Sequence, residues 1–583
     1  MNFTIHSNKV TGPLPHFWAG TGMTLPHRDP RNLLLIAGIP HETTRIRLHH
    51  TEMLIRVDDL WGADPCYDWT AFDEWFDLVI EFCGLPVVYE FMGAPCKPDG
   101  ETAWFHAEKL EGWKRFWGEL PAEKLQAYRR HVTRVVEHLI ERYGREPAAT
   151  WYWQDQNEAF FPEQAAAVAA GVKDAAPDFL VGVDIDPRWA ITPGQVSEFA
   201  AAGENRVMGE PGMPMDFLGY HIKGKPREVV DRFIDLVLGD LDAHPEYHDL
   251  VFENFECDRE WIWNHEHAHR ASPYYSAWKA RILNEYLQRF VLGNDRRNDR
   301  CRRFELHFDD AFLSDHWFQR CQMTVVEEQL IKRPIHNAQV LFALLGDELL
   351  SVEGWELEGR VGIIASRIGG VVALLLYHYD ESTHDYGDAT QPVELHTVDL
   401  PFEAGKAVHF RIDADHGDLH ALARRGASVE ALLAAHEVAP VDSEAIAGNA
   451  FSWRGEMSRQ SLRLIVLAGD PGKPPLPVQG LRAKRYAAAP EDLYLLWEDA
   501  GRLIKTYEIE HAASENGPWR RINPDMIATS RVHAGAPMAG FYRLRAIDFW
   551  DRPGAWSEMI EAPETETVSL RFGGSDRRLS KED

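Results

Sequence analysis

From the start of the chain to about residue 345, short apolar runs rich in β-branched and aromatic residues alternate with longer amphipathic stretches. Few architectures accept that alternation, because each strand must hand over to a helix that returns the chain to the start of the next parallel strand. The runs Leu33–Ala37, Arg45–His49, Val87–Phe91, Thr150–Trp153, Leu180–Ile185, Phe217–His221, Leu250–Phe255 and Phe304–Phe308 predict strands. Eight of them predict a closed (β/α)8 barrel. Between them, Glu123–Tyr143 and Glu228–Leu241 repeat apolar residues at three and four, with Lys, Arg and Glu on the outer face, as helices coating a barrel would.

From about Trp355 the period changes to two. Val361–Ser366 and Val371–His378 flank Arg367-Ile368-Gly369-Gly370, a hairpin turn signal, and Val408–Ile412 and Leu462–Leu467 follow. Pro471-Gly472-Lys473-Pro474-Pro475-Leu476-Pro477 cannot sustain helix or sheet pairing and reads as a stiff linker. Beyond it Leu493–Trp497, Thr506–His511 and Gly540–Ile547 are spaced like strands of a seven-stranded sandwich of about 90 residues. The expected class is therefore multidomain α/β plus all-β. Residues 11–346 form a (β/α)8 TIM barrel and 347–473 a β-sandwich, with residues 1–10 a candidate addition to it. Residues 474–565 form a C-terminal sandwich and 566–583 a charged tail.

Composition removes several function classes. Sixty-one Lys plus Arg against 91 Asp plus Glu give a formal charge of -30, which repels an extended phosphate backbone, so nucleic acid is not an expected partner. No apolar stretch approaches the ~18 residues of a membrane span, and the opening Met1-Asn2-Phe3-Thr4-Ile5-His6 lacks a secretory pattern, so the chain reads as cytoplasmic without a membrane partner. Cys66, Cys83, Cys96, Cys257, Cys301 and Cys321 form no C-x-x-C pair and read as reduced thiols.

In such a barrel, chemistry gathers at the C-terminal ends of the strands. Trp151-Tyr152-Trp153-Gln154-Asp155-Gln156-Asn157-Glu158 runs out on Asn-Glu, and Val251-Phe252-Glu253-Asn254-Phe255-Glu256-Cys257-Asp258 runs out on Glu. Two glutamates on separate strand ends suit the acid and nucleophile of a retaining glycosidase, whose carboxyls sit about 5–5.5 Å apart. Each could equally be a solvated strand-end glutamate. Glu253 competes with Glu256, and a regular strand would point the two to opposite faces.

Asn157-Glu158 after a fourth-strand-like run and Asn254-x-Glu256-x-Asp258 after a seventh resemble the two active-site motifs of glycoside hydrolase family 39, in its α-L-iduronidase branch. The resemblance extends over most of the chain. It includes His16-Phe17-Trp18-x-x-Thr21-Gly22, Ile46-Arg47-x-His49, Tyr89-Glu90-Phe91-Met92-Gly93, Asp216-Phe217-x-x-x-His221-x-Lys223-Gly224 and Asp309-Asp310-Ala311-Phe312-Leu313-Ser314. Tyr542-Arg543-x-Arg545-Ala546-x-Asp548-Phe549-Trp550-x-Arg552-Pro553-Gly554 resembles the end of the fibronectin type III-like module that this branch carries. The family's usual proline after Asn-Glu is Ala159 here, and a match to the family's xylosidase branch would select Glu253 as nucleophile.

The resemblance implies a retaining exo-glycosidase acting on terminal α-L-iduronic acid of glycosaminoglycan-type oligosaccharides, with a uronic-acid-containing oligosaccharide as its substrate partner. Glu158 would be acid/base and Glu256 nucleophile, with Asn157 on the sugar 2-hydroxyl. Lys223 and Arg320 would meet the uronate carboxylate, His49 and Asp309 would hydrogen-bond the sugar, and Trp263 would wall the pocket. Two other functions remain open: a β-xylosidase or other family 39 glycosidase, and a non-catalytic carbohydrate-binding protein on the same barrel. No cofactor is expected. His265-Glu266-His267-x-His269 invites a metal reading but lacks the i, i+4 pairing of a helical zinc site, so no metal is expected either. Oligomeric state is not legible.

Overall fold

The computed structural model describes residues 1–23, 45–49, 51–83, 86–92, 95–98, 120–155, 161–185, 194–201, 207, 209, 212–247, 249–260, 266–293, 303–310, 313–314, 316–327, 329–356, 359–486, 489–523, 532–536 and 539–562. Among these, eight parallel strands close into a barrel. They are β1 (Gly20–Met23), β2 (Arg45–Leu48), β3 (Val87–Glu90), β4 (Tyr152–Gln154), β5 (Leu180–Ile185), β6 (Phe217–Tyr220), β7 (Val251–Asn254) and β8 (Phe304–Asp310). β1 closes the ring by pairing with β2 on one side and with β8 on the other.

One strand expectation is corrected. The first barrel strand is Gly20–Met23, and the ring of eight is complete without Leu33–Ala37, which lies outside the described residues. Glycine at position 20 follows from packing rather than strand propensity: a Cβ there would stand 2.7 Å from the imidazole of His307, which fills the barrel interior.

The helices fall where the apolar repeat places them. Ala122–Tyr143 buries Leu125, Tyr128, Val132, Val135, Val136 and Leu139 on one stripe, and Pro226–Leu241 buries Val229, Val230, Phe233, Val237 and Leu238. Pro273–Tyr286 differs, being buried on nearly every side. It lies between the barrel and the second domain, where Asn284 Nδ2 donates to the Tyr377 hydroxyl at 2.9 Å.

That second domain is a nine-stranded sheet, and Asn2–Pro13 is one of its strands, paired antiparallel with Glu348–Glu353 and parallel with Thr390–Val398. Alternate residues of its central strands serve two cores. Ile363, Ala365, Val372, Leu374 and Leu376 face the domain's own interior, whereas Ile364, Ala373, Leu375 and Tyr377 pack into the core shared with the barrel. Burial on both faces explains the nearly continuous apolar sequence of Val371–His378. The hairpin between Val361–Ile368 and Val371–His378 turns through Gly369 at φ +54°, a conformation that glycine adopts without strain. The C-terminal domain stacks a three-stranded sheet on a four-stranded one, around Leu493, Leu495, Tyr507, Ile509, Tyr542 and Leu544. Cys66, Cys96, Cys257 and Cys321 are free thiols.

Candidate active site

At the C-terminal mouth, β2, β3, β5, β6 and β7 each deliver a charged or imidazole side chain into a buried polar cluster. Arg47 sits at its centre. Its guanidinium donates to Glu90 through Nε, to Asp184 Oδ2 at 2.9 Å and to the Phe255 carbonyl at 3.3 Å. His49 Nδ1 lies 2.8 Å from Glu90 Oε2, and Gln154 Nε2 donates to Glu90 Oε1 at 2.7 Å. Burial pushes the Glu90 carboxyl up, but Arg47 and His49 outweigh it and hold the group at about 2. Every one of these side chains would be costly to bury alone; together they compensate one another.

His221 links this cluster to the end of β7, with Nε2 2.9 Å from Asp184 Oδ2 and Nδ1 3.7 Å from Glu256 Oε1. Glu256 receives two cations on its other oxygen: Lys223 Nζ at 2.5 Å and Arg320 Nη1 at 2.8 Å. Burial raises its pKa, yet Arg320, Lys223 and His221 reverse that and hold it well below the ordinary carboxylate range. Asp258, two residues on, accepts from Arg270 at 2.9 Å and from the Tyr275 hydroxyl at 2.5 Å, which anchors the segment presenting Glu256.

Glu253 occupies different ground. β7 ends at Asn254, and Glu253 points into the barrel interior, where His307 Nε2 lies 2.7 Å from its Oε2. The Phe255 ring stacks edge-on against His307 at 5.0 Å and under the Arg47 guanidinium at 4.5 Å, so it stands between Glu253 and the mouth. Gly219 makes room for that ring, since a Cβ there would fall 2.2 Å from it. Burial lifts the Glu253 carboxyl to about 7 and lowers the His307 imidazole to about 4. At mildly acidic pH this pair is largely uncharged, whereas Glu256 is an anion.

The structure thus brings His49, Lys223, Glu256 and Arg320 to one mouth. Asp309 is at the end of β8 by its backbone. Asn157, Glu158 and Trp263 lie outside the described residues. Lys223 and Arg320, read from sequence as contacts for a substrate carboxylate, are both engaged by Glu256 here. Arg47, Glu90, Asp184 and His221 were given no role from sequence. A signal existed: each is a charged or imidazole residue inside or just past an otherwise apolar strand, which is seldom tolerated without a partner.

A buried array of carboxylates, cations and imidazoles at the C-terminal mouth of a (β/α)8 barrel is where a barrel enzyme does its chemistry, and the comparisons make that enzyme a glycoside hydrolase. The family described as "Glycosyl hydrolases family 39" matches residues 1–417, and the "Alpha-L-iduronidase C-terminal domain" matches residues 488–564. The chain belongs to glycosyl hydrolase family 39. It is 25% identical over 637 residues to the α-L-iduronidase of Canis lupus familiaris, covering 97% of this chain and 93% of that one. With the Homo sapiens α-L-iduronidase it is 25% identical over 630 residues, covering 95% and 92%. A solved bacterial orthologue of human α-L-iduronidase superposes with a TM-score of 0.79 at 21% identity, over 96% of this chain and 99% of that one. A monomeric β-xylosidase from Caulobacter crescentus CB15 superposes at 0.60 with 18% identity, over 80% and 99%. Among the described residues no helix is long and apolar enough to cross a membrane.

Proposed function

We propose that this glycosidase removes non-reducing terminal α-L-iduronic acid from glycosaminoglycan-type oligosaccharides with retention of configuration. The observation that carries the reading is the pair of buried cations, Lys223 and Arg320, converging on Glu256 at the barrel mouth. A neutral pentose offers these cations no charge of its own to hold, whereas a uronate brings a second carboxylate within their reach. The planar Arg320 fork suits bidentate contact with a carboxylate, and Lys223 adds a compact charge.

Glu256 is the nucleophile in this reading. An attacking carboxylate must be ionised, and its three basic neighbours keep it so. Glu253, behind the Phe255 ring with its carboxyl lifted to about 7, is less suited to attack than the ionised Glu256. As the uronate enters, it shares Lys223 and Arg320 with Glu256 and so frees electron density on the attacking oxygen. That oxygen bonds to the anomeric carbon while the bond to the leaving oxygen breaks and Glu158 supplies the proton. Water then attacks the same carbon, returns a proton to Glu158 and releases Glu256. Asn157 would donate to the 2-hydroxyl, His49 and Asp309 would hold ring hydroxyls, and Trp263 would face the sugar.

Turnover of a fluorogenic α-L-iduronide against a fluorogenic β-D-xyloside tests the assignment. Preference for the iduronide is expected. Preference for xyloside would reassign the chain to the xylosidase activity, and inertness on both would favour a binding protein.

A further inference from the structure

Outside the catalytic cluster, the structure gathers a second set of chemistry-bearing side chains. Glu260 follows Asp258 on the segment after β7, and His267 and His269 lie on the segment that leads into the helix Pro273–Tyr286. One ligand-type atom from each falls within 4.8 Å of the other two. His269 Nε2 is buried, makes no hydrogen bond and stands 3.5 Å from Glu260 Oε1.

That spacing is informative. Two donors on a tetrahedral zinc ion, each about 2.0–2.2 Å from the metal, are roughly 3.4 Å apart. The imidazole is also fixed in place, with the His384 ring tilted against it at 4.4 Å between centroids and Tyr274 edge-on at 5.2 Å. A ligand held by its neighbours loses little freedom on binding.

We propose that Glu260, His267 and His269 form a binding site for a divalent transition-metal ion of the zinc class. Two imidazoles and one carboxylate are a borderline-soft donor set, which selects zinc over calcium or magnesium. The ion would complete its shell with water. Arg259 Nη1, 3.6 Å from the same Glu260 oxygen, competes with the cation, so binding is weaker than at a structural zinc-finger site. The consequence is mechanical. Asp258 already ties the Glu256 segment to Arg270, and a metal joining Glu260 to His267 and His269 adds a second tie beside it. The site is independent of the sugar specificity proposed above.

The test uses the full chain, stripped with a chelator and then dialysed against zinc chloride. One zinc per chain is expected, with a higher melting temperature because the ion binds the folded state. Cobalt(II) in its place should give the visible absorption of a four- or five-coordinate nitrogen and oxygen site. His269→Ala should weaken zinc binding by roughly tenfold or more. If that variant fails to fold, the partly exposed Glu260→Gln gives the same reading, while Glu266→Gln, outside the cluster, should bind as wild type does. Absence of stoichiometric zinc, or equal affinity in the Glu260→Gln chain, would overturn the proposal.

Discussion

Replacing Glu253 by glutamine removes a carboxyl that the barrel interior holds protonated at a pH where the unfolded chain would release its proton. The folded group titrates at about 7 against an ordinary 4.5, because burial disfavours the charge. A folded pKa raised above the unfolded one means that the native state binds more protons across that window, so wild-type stability falls as pH rises from about 4.5 to about 7 and then levels. Integrating the difference gives a loss of about 2.5 kcal/mol between pH 5 and pH 8. Glutamine cannot ionise and keeps a donor for His307 Nε2, as the protonated acid does, so Glu253→Gln escapes that loss. Glu305, lifted to about 7 by burial and by Glu253 itself, relaxes in the same direction once that charge is gone. Taking about 2 °C per kcal/mol for a domain of this size, the melting temperature of the variant relative to wild type should rise by on the order of 5 °C from pH 5 to pH 8. Differential scanning fluorimetry across that range reads it. A difference that stays flat would mean that Glu253 is ionised in the folded protein, and the argument separating it from Glu256 would fail.

Glu256→Gly should abolish turnover of good substrates and recover with azide to a glycosyl azide of inverted configuration, seen by proton NMR; azide inversion in Glu253→Gly instead would exchange the two roles. Arg320→Ala should lower kcat/KM on iduronide by about ten- to a hundredfold more than on xyloside, as loss of a hydrogen bond to the uronate worth about 1.5–3 kcal/mol requires, while the loss shared by both substrates reports its contact with Glu256. Adding Lys223→Ala should cost less than the sum of the single losses if both cations grip one carboxylate, a result that parallel kinetics on both substrates would show or deny. Gly219→Val should drive the Phe255 ring out of the barrel, costing on the order of 1–3 kcal/mol in stability by thermal melt and lowering kcat; an unchanged kcat would show that the ring does not support the site.

Much of the barrel could be read from local pattern. The runs containing β2 to β8, the helix Ala122–Tyr143 and the hairpin at Gly369 are set by side-chain periodicity and turn chemistry, which depend on neighbours a few residues away. β1 escaped because Gly20-Thr21-Gly22-Met23 has the composition of a turn, while the apolar Leu33–Ala37 has that of a strand. The reason for glycine at position 20 is the imidazole of His307, far along the chain, and no local rule contains it.

The same division holds for the site. The sequence by itself offered Glu158 and Glu256 as the carboxylates that follow the fourth and seventh strand runs, because alternation and strand length bracket a strand end without knowledge of its surroundings; Glu158 lies outside the described residues. Only the tertiary structure decided which carboxylate of Glu253 and Glu256 reaches the mouth: β7 stops at Asn254, and the ring of Phe255 closes over Glu253. It alone also placed the cations on Glu256, from Lys223, 33 residues away in the chain, and Arg320, 64 residues away. Charge state is a property of the assembled mouth, since an ion's energy depends on burial and on neighbours that closing the barrel brings together.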